Sequence, residues 1–433
     1  MHKFDIHNLF CPGQEILDPE RFAGRRNNIS QAIKALCRQG TSILVYGERG
    51  VGKTSFVEMV KLIAQDQVEL IHRYKLQNIT PSKGFKYKII SIECDEDVDI
   101  TDKVLQRLIT SPEGISGLVG PKIDKIETTV KDHLGINFLK SIASMQYSHE
   151  EKLIRKEFEE VSIYELFSNL IIYITQYILK QDEGLLIVID EFDRVKDNTK
   201  ISSVIKTLSK GKVKFLISGI AESYIDLIKY HASIERQLFQ GKIKINPMDG
   251  EEIENVFHLV HKNSKGILNF EKGFIDEVKV RSDGFPYYVQ LFGQLALDNF
   301  VASYGSGKRD YITKTHLVNG LKDFSQYEPK LEQIYLSVIG DDPSRELVLK
   351  GLSVQLPRRI QQGNVFRYCN KRGLPQPRQI LSILLGIRNP RIIERISREF
   401  ITFSDPLFKI YVSVRPPVHL KKNSEGYYIP KIS

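Results

Sequence analysis

The sequence predicts an α/β protein, in which a parallel β-sheet with helices on both faces precedes an all-α region and a C-terminal winged-helix domain. Short apolar segments alternate with helical segments from residue 42 to residue 245, which is typical of a parallel sheet. A glycine-rich loop joins the first of these segments to its helix. Helical patterns fill residues 246–330, and short helices with two closely spaced apolar runs follow them, as in a winged helix.

The predicted strands are short and apolar, as expected for strands that are buried on both faces. They are Ser42–Tyr46, Lys88–Glu93, Leu185–Asp190, Val213–Ser218 and Ile243–Ile245. Residues 111–160 interrupt the alternation, because a Gly/Ser/Pro-rich stretch leads into a densely charged one, and we interpret them as an insertion. The predicted domains are a core at 1–245, a helical domain at 246–330, a winged helix at 331–415 and a tail at 416–433.

Composition excludes several classes of protein. With 433 residues, 41% hydrophobic and 27% charged, the chain is neither disordered nor fibrous. It has no apolar run of about 18 residues, and Met1–Asp5 does not begin a signal peptide, so we expect neither a membrane span nor export. Four cysteines without a C-x-x-C pair exclude a zinc ribbon and argue against a disulfide framework. We therefore predict a cytoplasmic protein.

Positive charge is concentrated near the C-terminus. Residues 1–330 hold 45 basic and 45 acidic residues, whereas residues 331–433 hold 17 basic and 8 acidic ones, so the net charge of +9 arises there. Between Pro357 and Arg398 stand ten basic residues, nine of them arginine, and one acid, Glu394. This region is either a solvated basic face or a polyanion-binding surface, and arginine favours forked contact with phosphate.

The glycine-rich loop predicts a nucleotide site. Residues 47–54 match G-x-x-x-x-G-K-[ST], with a strand before and a helix after them, which is the context that a phosphate-binding loop requires. Lys53 should reach the β- and γ-phosphates of ATP, and Thr54 should offer its hydroxyl to Mg²⁺. The predicted nucleotide-binding residues of the loop are Gly47, Glu48, Arg49, Gly50, Val51, Gly52, Lys53, Thr54 and Ser55.

Two further strand ends are candidates for the same site. The strand Leu185–Asp190 ends in Asp190, a predicted Mg²⁺ ligand, and Glu191 follows it as a candidate to orient or deprotonate the attacking water. Asp193 is interpreted as a helix cap or a solvated acid. Ser218 ends the strand Val213–Ser218 and could hold the water or the γ-phosphate; alternatively it is an ordinary serine before a turn.

Together these motifs resemble those of AAA+ ATPases, specifically the branch of initiator-like and STAND signalling ATPases from archaea and bacteria. The resemblance covers about residues 18–415, and its most specific parts are the phosphate loop, Asp190-Glu191 and the stretch Asp283–Tyr287. Phe22–Arg26 is similar to the segment that such proteins place beside the adenine, or is a plain lead-in to a helix. The resemblance implies ATP and Mg²⁺ as ligands.

The resemblance also implies roles for two residues outside the sheet. Arg236 lies where AAA+ proteins carry an arginine finger, which would act in a neighbour's site and imply a homo-oligomer with ATP bound; otherwise it is a surface arginine. Pro286 would contact the nucleotide or shape the helical lid, or simply begin a helix. Tyr287 stands where many relatives carry a sensor arginine, so a slow switch is favoured over a fast motor.

The C-terminal part resembles the winged helices attached to such ATPases. On that basis Pro377–Gly386 is the recognition-type helix, and the hairpin around Arg395–Arg398 is the wing. Double-stranded DNA contacted through residues 357–398 is one predicted partner, by phosphate contact rather than by base sequence. A protein partner is the alternative, with hydrolysis resetting a signalling or scaffold protein, and a replication-initiator-like loader is a further variant.

Overall fold

The structure is a computed structural model that describes residues 8–119, 162–198, 200–228, 238, 240–303, 311–326, 328–355, 359–424 and 426–430. It divides into two compact units. The first comprises Glu15–Asn246. The second comprises Pro247–Ser433 together with the N-terminal segment Met1–Gln14.

A five-stranded parallel sheet forms the centre of the first unit. Its spatial order is β2-β3-β4-β1-β5. The strands are β1 (Ile43–Gly47), β2 (Tyr87–Glu93), β3 (Gly184–Asp190), β4 (Val213–Ile220) and β5 (Lys242–Lys244). The prediction of a P-loop-type parallel sheet flanked by helices is confirmed, because all five predicted strands form and pair in parallel. β4 separates β1 from β3, so the carboxyl ends of these three strands lie side by side.

Helices cover the sheet through apolar faces. Leu185 to Asp190 of β3 are all buried, as are Val213 to Gly219 of β4, so neither strand shows the alternation of a half-exposed sheet. The helices of this unit are α1 (Arg26–Cys37), α2 (Lys53–Ala64), α3 (Glu69–Arg73), α4 (Thr101–Thr110), α5 (Ile115–Val119), α6 (Ile163–Tyr173), α7 (Ile201–Leu208) and α8 (Tyr224–Leu227). A short π-helical turn, Ile174–Ile178, continues α6.

The first part of the predicted insertion packs against the sheet. Ile115 and Val119 of α5 are buried in the core of the sheet, and the Ser91 amide of β2 donates to the Glu113 carbonyl at 2.9 Å. Residues 111–119 therefore belong to the core, since two apolar side chains four positions apart make α5 amphipathic. The remainder of the predicted insertion, residues 120–160, lies outside the described residues.

The first part of the second unit consists mainly of four helices, against which the N-terminal segment packs. They are α9 (Gly250–Asn263), α10 (Lys272–Ser282), α11 (Pro286–Ser303) and α12 (Lys314–Gln326). We expected this region to be all-helical, and that expectation is wrong. Two short strands, Asn269–Phe270 (β6) and Tyr311–Ile312 (β7), pair in parallel. Phe10 is buried against Phe257 and fills the space that the missing side chain of Gly293 leaves.

The C-terminal part has its own apolar core. Its helices are α13 (Pro329–Ile339), α14 (Pro343–Ser353), α15 (Gln362–Asn370), α16 (Pro377–Gly386) and α17 (Pro406–Val414). An antiparallel sheet of order β8-β10-β9 consists of Ile360–Gln361 (β8), Ile393–Arg395 (β9) and Phe400–Phe403 (β10). The expected tail instead forms a hairpin of Leu420–Lys422 (β11) and Tyr428–Pro430 (β12), and Leu420 is buried in the same core.

Candidate functional site

The loop between β1 and α2 has a backbone that requires glycine. A side chain at Gly47 would place its Cβ 2.2 Å from the Ile245 carbonyl oxygen. Because that oxygen is a backbone atom, it cannot move aside as a flexible side chain could. Gly52, just before α2, has φ of 88°, a left-handed conformation that other residues rarely adopt. The loop therefore exposes its backbone at the N-terminus of a buried helix, where amide groups and the helix dipole favour an anion.

Lys53 lies folded over this loop. Its ammonium group donates to the carbonyl oxygens of Gly47 at 3.2 Å and Glu48 at 2.8 Å. Burial lowers the pKa of Lys53, while the carboxylates of Asp193, Asp190 and Glu191 oppose that shift. The cation is thus held at the loop with three acids in its electrostatic surroundings.

The structure brings Asp190 and Ser218 together. Asp190 is buried at the end of β3, and its Oδ1 accepts hydrogen bonds from the Ser218 hydroxyl and, at 2.8 Å, from the Glu191 amide. Adjacent parallel strands bring the ends of β3 and β4 to the same edge, which explains this contact. Ser218 thereby holds the carboxylate that sequence analysis singled out as a metal ligand.

Glu191 lies at the mouth of the same edge in an unusual conformation. Its φ is 52°, in the left-handed region, and its carboxylate forms an ion pair with Arg194 in the following 3₁₀ turn. Glu93 at the end of β2 is paired in register with Asp190. Burial, together with the charge of Glu191, raises the pKa of Glu93. The edge therefore concentrates acidic side chains opposite Lys53.

Two predicted or discussed residues have structural contacts here. Asp193 accepts a hydrogen bond from the Ile220 amide at 2.7 Å, so it fastens the end of β4 rather than capping a helix. The Ser55 hydroxyl on α2 accepts from the Ile16 amide at 3.0 Å. This bond attaches the segment before α1 to the helix that begins at Lys53.

One residue of the site was missed by sequence reasoning. Arg25 is only 6% exposed, and its guanidinium donates to the carbonyl oxygens of Val51 in the loop at 2.9 Å and of Asn246 at 2.5 Å. The stretch Phe22–Arg26 drew attention only as a possible adenine neighbour. A signal was available, because an arginine between Gly24 and an amphipathic helix is an unusual start for that helix.

The roles predicted for Arg236 and Pro286 are not tested by the described contacts of the first unit. Arg236 lies outside the described residues. Pro286 belongs to the second unit, where it begins α11, and the neighbouring Tyr287 is 37% exposed. Their predicted roles remain predictions.

The basic C-terminal region exposes most of its charge. Arg378 is on α16, Arg395 is on β9, and Arg398 is at the turn between β9 and β10. The exposed basic side chains in the described part of 357–398 are Arg359, Arg367, Lys371, Arg378, Arg388, Arg391, Arg395 and Arg398. Arg372 differs, because its guanidinium is stacked 3.6 Å from the ring centre of Tyr368 and 4.7 Å from that of Tyr427.

The described residues contain neither a membrane-spanning helix nor a cluster of metal-binding side chains. Within the described ranges, no helix is both long and apolar enough to span a bilayer. Nor does that part of the chain group three or more His, Cys, Asp or Glu side chains in a way that could hold a metal ion by themselves.

The sheet order, the glycine-rich loop before α2 and the acid that ends β3 define the chain as a P-loop NTPase, a class that binds nucleotide with Mg²⁺. The sequence profile of the KAP family P-loop domain matches residues 24–404, and the chain belongs to this family. No curated protein matches the sequence.

Several solved structures are similar over most of the chain. They include the ORC1 protein of Aeropyrum pernix in complex with DNA, 12% identical, covering 91% of this chain and 93% of that one, with a TM-score of 0.40. A Walker-type ATPase of Pyrococcus abyssi is 14% identical and covers 93% and 99%, with a TM-score of 0.43. Cdc6p from Pyrobaculum aerophilum is 15% identical and covers 94% and 96%, with a TM-score of 0.42.

Proposed function

We propose that this P-loop NTPase is an AAA+-type switch that binds ATP, hydrolyses it slowly and associates with DNA through its C-terminal basic region. One observation carries the nucleotide part of the proposal. β4 lies between β1 and β3, so the phosphate loop, Asp190 and Ser218 occupy one edge of the sheet.

The residues at this edge fit ATP and Mg²⁺. Gly47 has no room for a side chain, Gly52 is in a glycine conformation, and Lys53 supplies a cation at the loop. Mg²⁺ bound with ATP would neutralise charge on the phosphates. Thr54 and Asp190 are the residues that would hold it, and the bond from Ser218 orients the Asp190 carboxylate for that role.

Glu191 is the proposed residue for water activation. It follows Asp190 at the mouth of the site, and its carboxylate is paired with Arg194 in this structure. Because Arg194 occupies this carboxylate, the Glu191–Arg194 contact would have to open for Glu191 to orient the attacking water. We attribute a slow turnover to this contact and to Tyr287 in place of a sensor arginine. Arg236 acting in a neighbouring subunit and Pro286 shaping the lid complete the proposal.

The DNA part rests on the C-terminal domain, taken as residues 331–415. Within it, α14, α15 and α16 followed by an antiparallel hairpin have the element order of a winged helix, with α16 as its recognition-type helix and β9–β10 as its wing. Of the ten basic residues, α16 carries only Arg378, whereas Arg388, Arg391, Arg395 and Arg398 lie between its end and the turn of the wing. We therefore assign the main phosphate contacts to the wing side.

The nucleotide proposal is tested by calorimetric titration of Lys53→Ala with MgADP and MgATP. Binding should fall by at least about a hundredfold, because the loop loses its cation. Lys61→Ala is the matched control on the same helix, since Lys61 pairs with Glu58 at 2.8 Å and should leave binding unchanged. Equal affinity of Lys53→Ala and the unaltered protein would refute the site.

The DNA proposal is tested by fluorescence anisotropy of labelled duplex DNA with the Glu191→Gln protein. We expect tighter binding with ATP than with ADP and a steep loss of affinity as salt rises, since several phosphate contacts release counterions. Affinity that does not change with salt would contradict the phosphate contacts.

A second function is favoured by one observation. Ile383 on α16 and Ile396 in the wing are each 44% exposed among the arginines, and apolar side chains suit a protein surface better than a phosphate backbone. On this alternative the domain docks a protein partner, as in a STAND-like signalling or scaffold ATPase. No binding to duplex DNA at low salt, together with capture of a defined partner that Ile383→Asp abolishes, would support it.

A further inference from the structure

We infer that Arg25 is a positioning residue of the phosphate loop, which presets the loop for its anion and ties it to the chain segment that leaves the sheet. The inference rests on the proposed nucleotide site and deepens it. Arg25 acts through the backbone, because its guanidinium donates to the carbonyl oxygens of Val51 and Asn246.

The first step concerns the peptide group between Val51 and Gly52. Its carbonyl oxygen accepts a buried hydrogen bond from Arg25 Nη2 at 2.9 Å. Because a trans peptide is planar, its N–H points away from its C=O, so the fixed Val51 carbonyl fixes the opposite direction of the Gly52 amide. Amide groups of this loop are the donors that hold phosphates. Arg25 therefore orients one of these donors before any ligand is present.

The phosphate loop contains glycines that give its backbone conformational freedom. Gly50 and Gly52 both have left-handed φ, of 80° and 88°, and glycine loses more conformational freedom than any other residue when it is ordered. A loop with two such positions would sample other conformations without an external hold. Arg25 provides that hold from a buried position at the start of α1, and preorganised donors bind an anion more tightly than mobile ones.

Arg25 also binds the carbonyl group of Asn246. Nη1 donates to the oxygen of Asn246 at 2.5 Å, and Asn246 is the last residue of the first unit. The same short segment contacts the start of the loop, because the Ile245 amide donates to Tyr46 at 2.8 Å and its carbonyl lies against Gly47. One guanidinium thus joins the phosphate loop to the point where the chain passes to Pro247.

The experiment compares Arg25→Ala and Arg25→Lys with the matched control Arg26→Ala. Arg26 is the adjacent residue, is exposed and donates to the Tyr74 carbonyl at 3.0 Å instead of the loop. Binding of MgADP is measured by calorimetry, and hydrogen exchange is followed in a peptide spanning residues 44–56 without nucleotide. KM for MgATP and kcat are measured alongside.

We expect Arg25→Ala to weaken MgADP binding about tenfold, as for loss of one charge-assisted hydrogen bond in a preorganised site. KM should rise by a similar factor with kcat nearly unchanged, since Arg25 acts through backbone carbonyl groups of the loop. Exchange in residues 44–56 should become faster before ligand is added. Arg25→Lys should fall between the two, because one ammonium cannot match a guanidinium that bridges two carbonyls.

The outcomes separate this inference from the proposed function. If the unaltered protein binds no nucleotide, the proposed function fails and the inference with it. If the unaltered protein binds, Lys53→Ala does not, and Arg25→Ala binds normally with unchanged exchange, the inference alone is overturned. Should Arg25→Ala fail to fold, Arg25→Lys decides: unchanged affinity and exchange would overturn the inference, and weakened affinity with faster exchange would support it.

Discussion

The phosphate-loop edge and the basic C-terminal region both concentrate positive charge, but they hold it in opposite ways. At the loop, Arg25 is buried and Lys53 is half-buried, and each donates to backbone carbonyl groups. In the C-terminal region, Arg388, Arg395 and Arg398 are exposed on connecting segments and a hairpin. A small anion in one orientation suits the first arrangement, whereas an extended polyanion suits the second.

This contrast shows that charge on a sequence has no single structural meaning. A buried cation costs desolvation, so it is found where several carbonyls or acids compensate that cost. An exposed arginine keeps its hydration and is free to meet a partner.

The largest effect should come from the acid beside the loop. Asp190→Asn keeps the shape of the side chain but removes its charge, and we expect nucleotide hydrolysis with Mg²⁺ to fall at least about a hundredfold. Phosphate release measures this loss. Asp182→Asn is the control, because Asp182 precedes the opposite end of β3 and pairs with Lys86, and hydrolysis should be retained. Equal losses in the two variants would contradict the separate roles of the two acids.

The exposed arginines should have the next largest effect. Replacing Arg395 and Arg398 together by alanine should weaken duplex DNA binding about tenfold or more and reduce the salt slope by about two. The slope is obtained from anisotropy titrations at several salt concentrations. A double alanine variant of Lys34 and Arg38, both exposed on or next to α1, should leave affinity and slope unchanged. A smaller slope in the control than in the wing variant would break the comparison.

Lys350 is a buried lysine in the C-terminal part, away from the predicted nucleotide site in sequence. It is 4% exposed and donates to the carbonyl oxygens of Val412 and Arg415, and burial lowers its pKa to about 8. Between about pH 8 and 10.5 the unfolded chain keeps a proton that the folded chain has lost, so this group raises the unfolding free energy as pH rises.

Lys350→Met removes this contribution. The stability deficit of the variant relative to the unaltered protein should grow by about 1 kcal/mol between pH 7 and pH 9. Urea unfolding followed by circular dichroism at both pH values measures the change. A deficit that stays constant with pH would show that Lys350 is charged in the folded chain throughout this range.

The smallest effect should come from Arg372, which belongs to the basic region by position but not by environment. Its stacking on Tyr368 and Tyr427 predicts that Arg372→Ala lowers the unfolding free energy by about 1 kcal/mol. DNA affinity should change far less than in the wing variant. Thermal unfolding and anisotropy on one preparation check both statements, and a DNA defect equal to that of the wing variant would refute them.

Much of the fold was predictable because its signals are local. β1, β3 and β4 are largely apolar runs, and α16 has the bounds predicted for the recognition-type helix, Pro377 and Gly386. The loop was predictable because its glycines and Lys53 have a fixed spacing. β6 and β7 were not, since each has two residues and depends on a distant partner for its pairing.

The missed features depend on contacts between distant residues. Arg25, Val51 and Asn246 lie far apart in sequence, so no spacing rule connects them. Composition counted Arg372 with the exposed arginines, because stacking on Tyr427 is visible only in the folded chain. Residues 416–433 were predicted only as a tail, but Leu420 is buried in the core of the C-terminal part.

The C-terminal hairpin also decides where this protein tolerates a cut. Glu346 is fully buried, and its carboxylate accepts hydrogen bonds from the Tyr335 hydroxyl and from the amides of Val418 and His419. Ending the chain at Arg415 would leave two of these bonds unmade around a buried negative charge, and such losses are among the costliest in a folded domain. Shortened versions of the basic domain should therefore keep residues through 430.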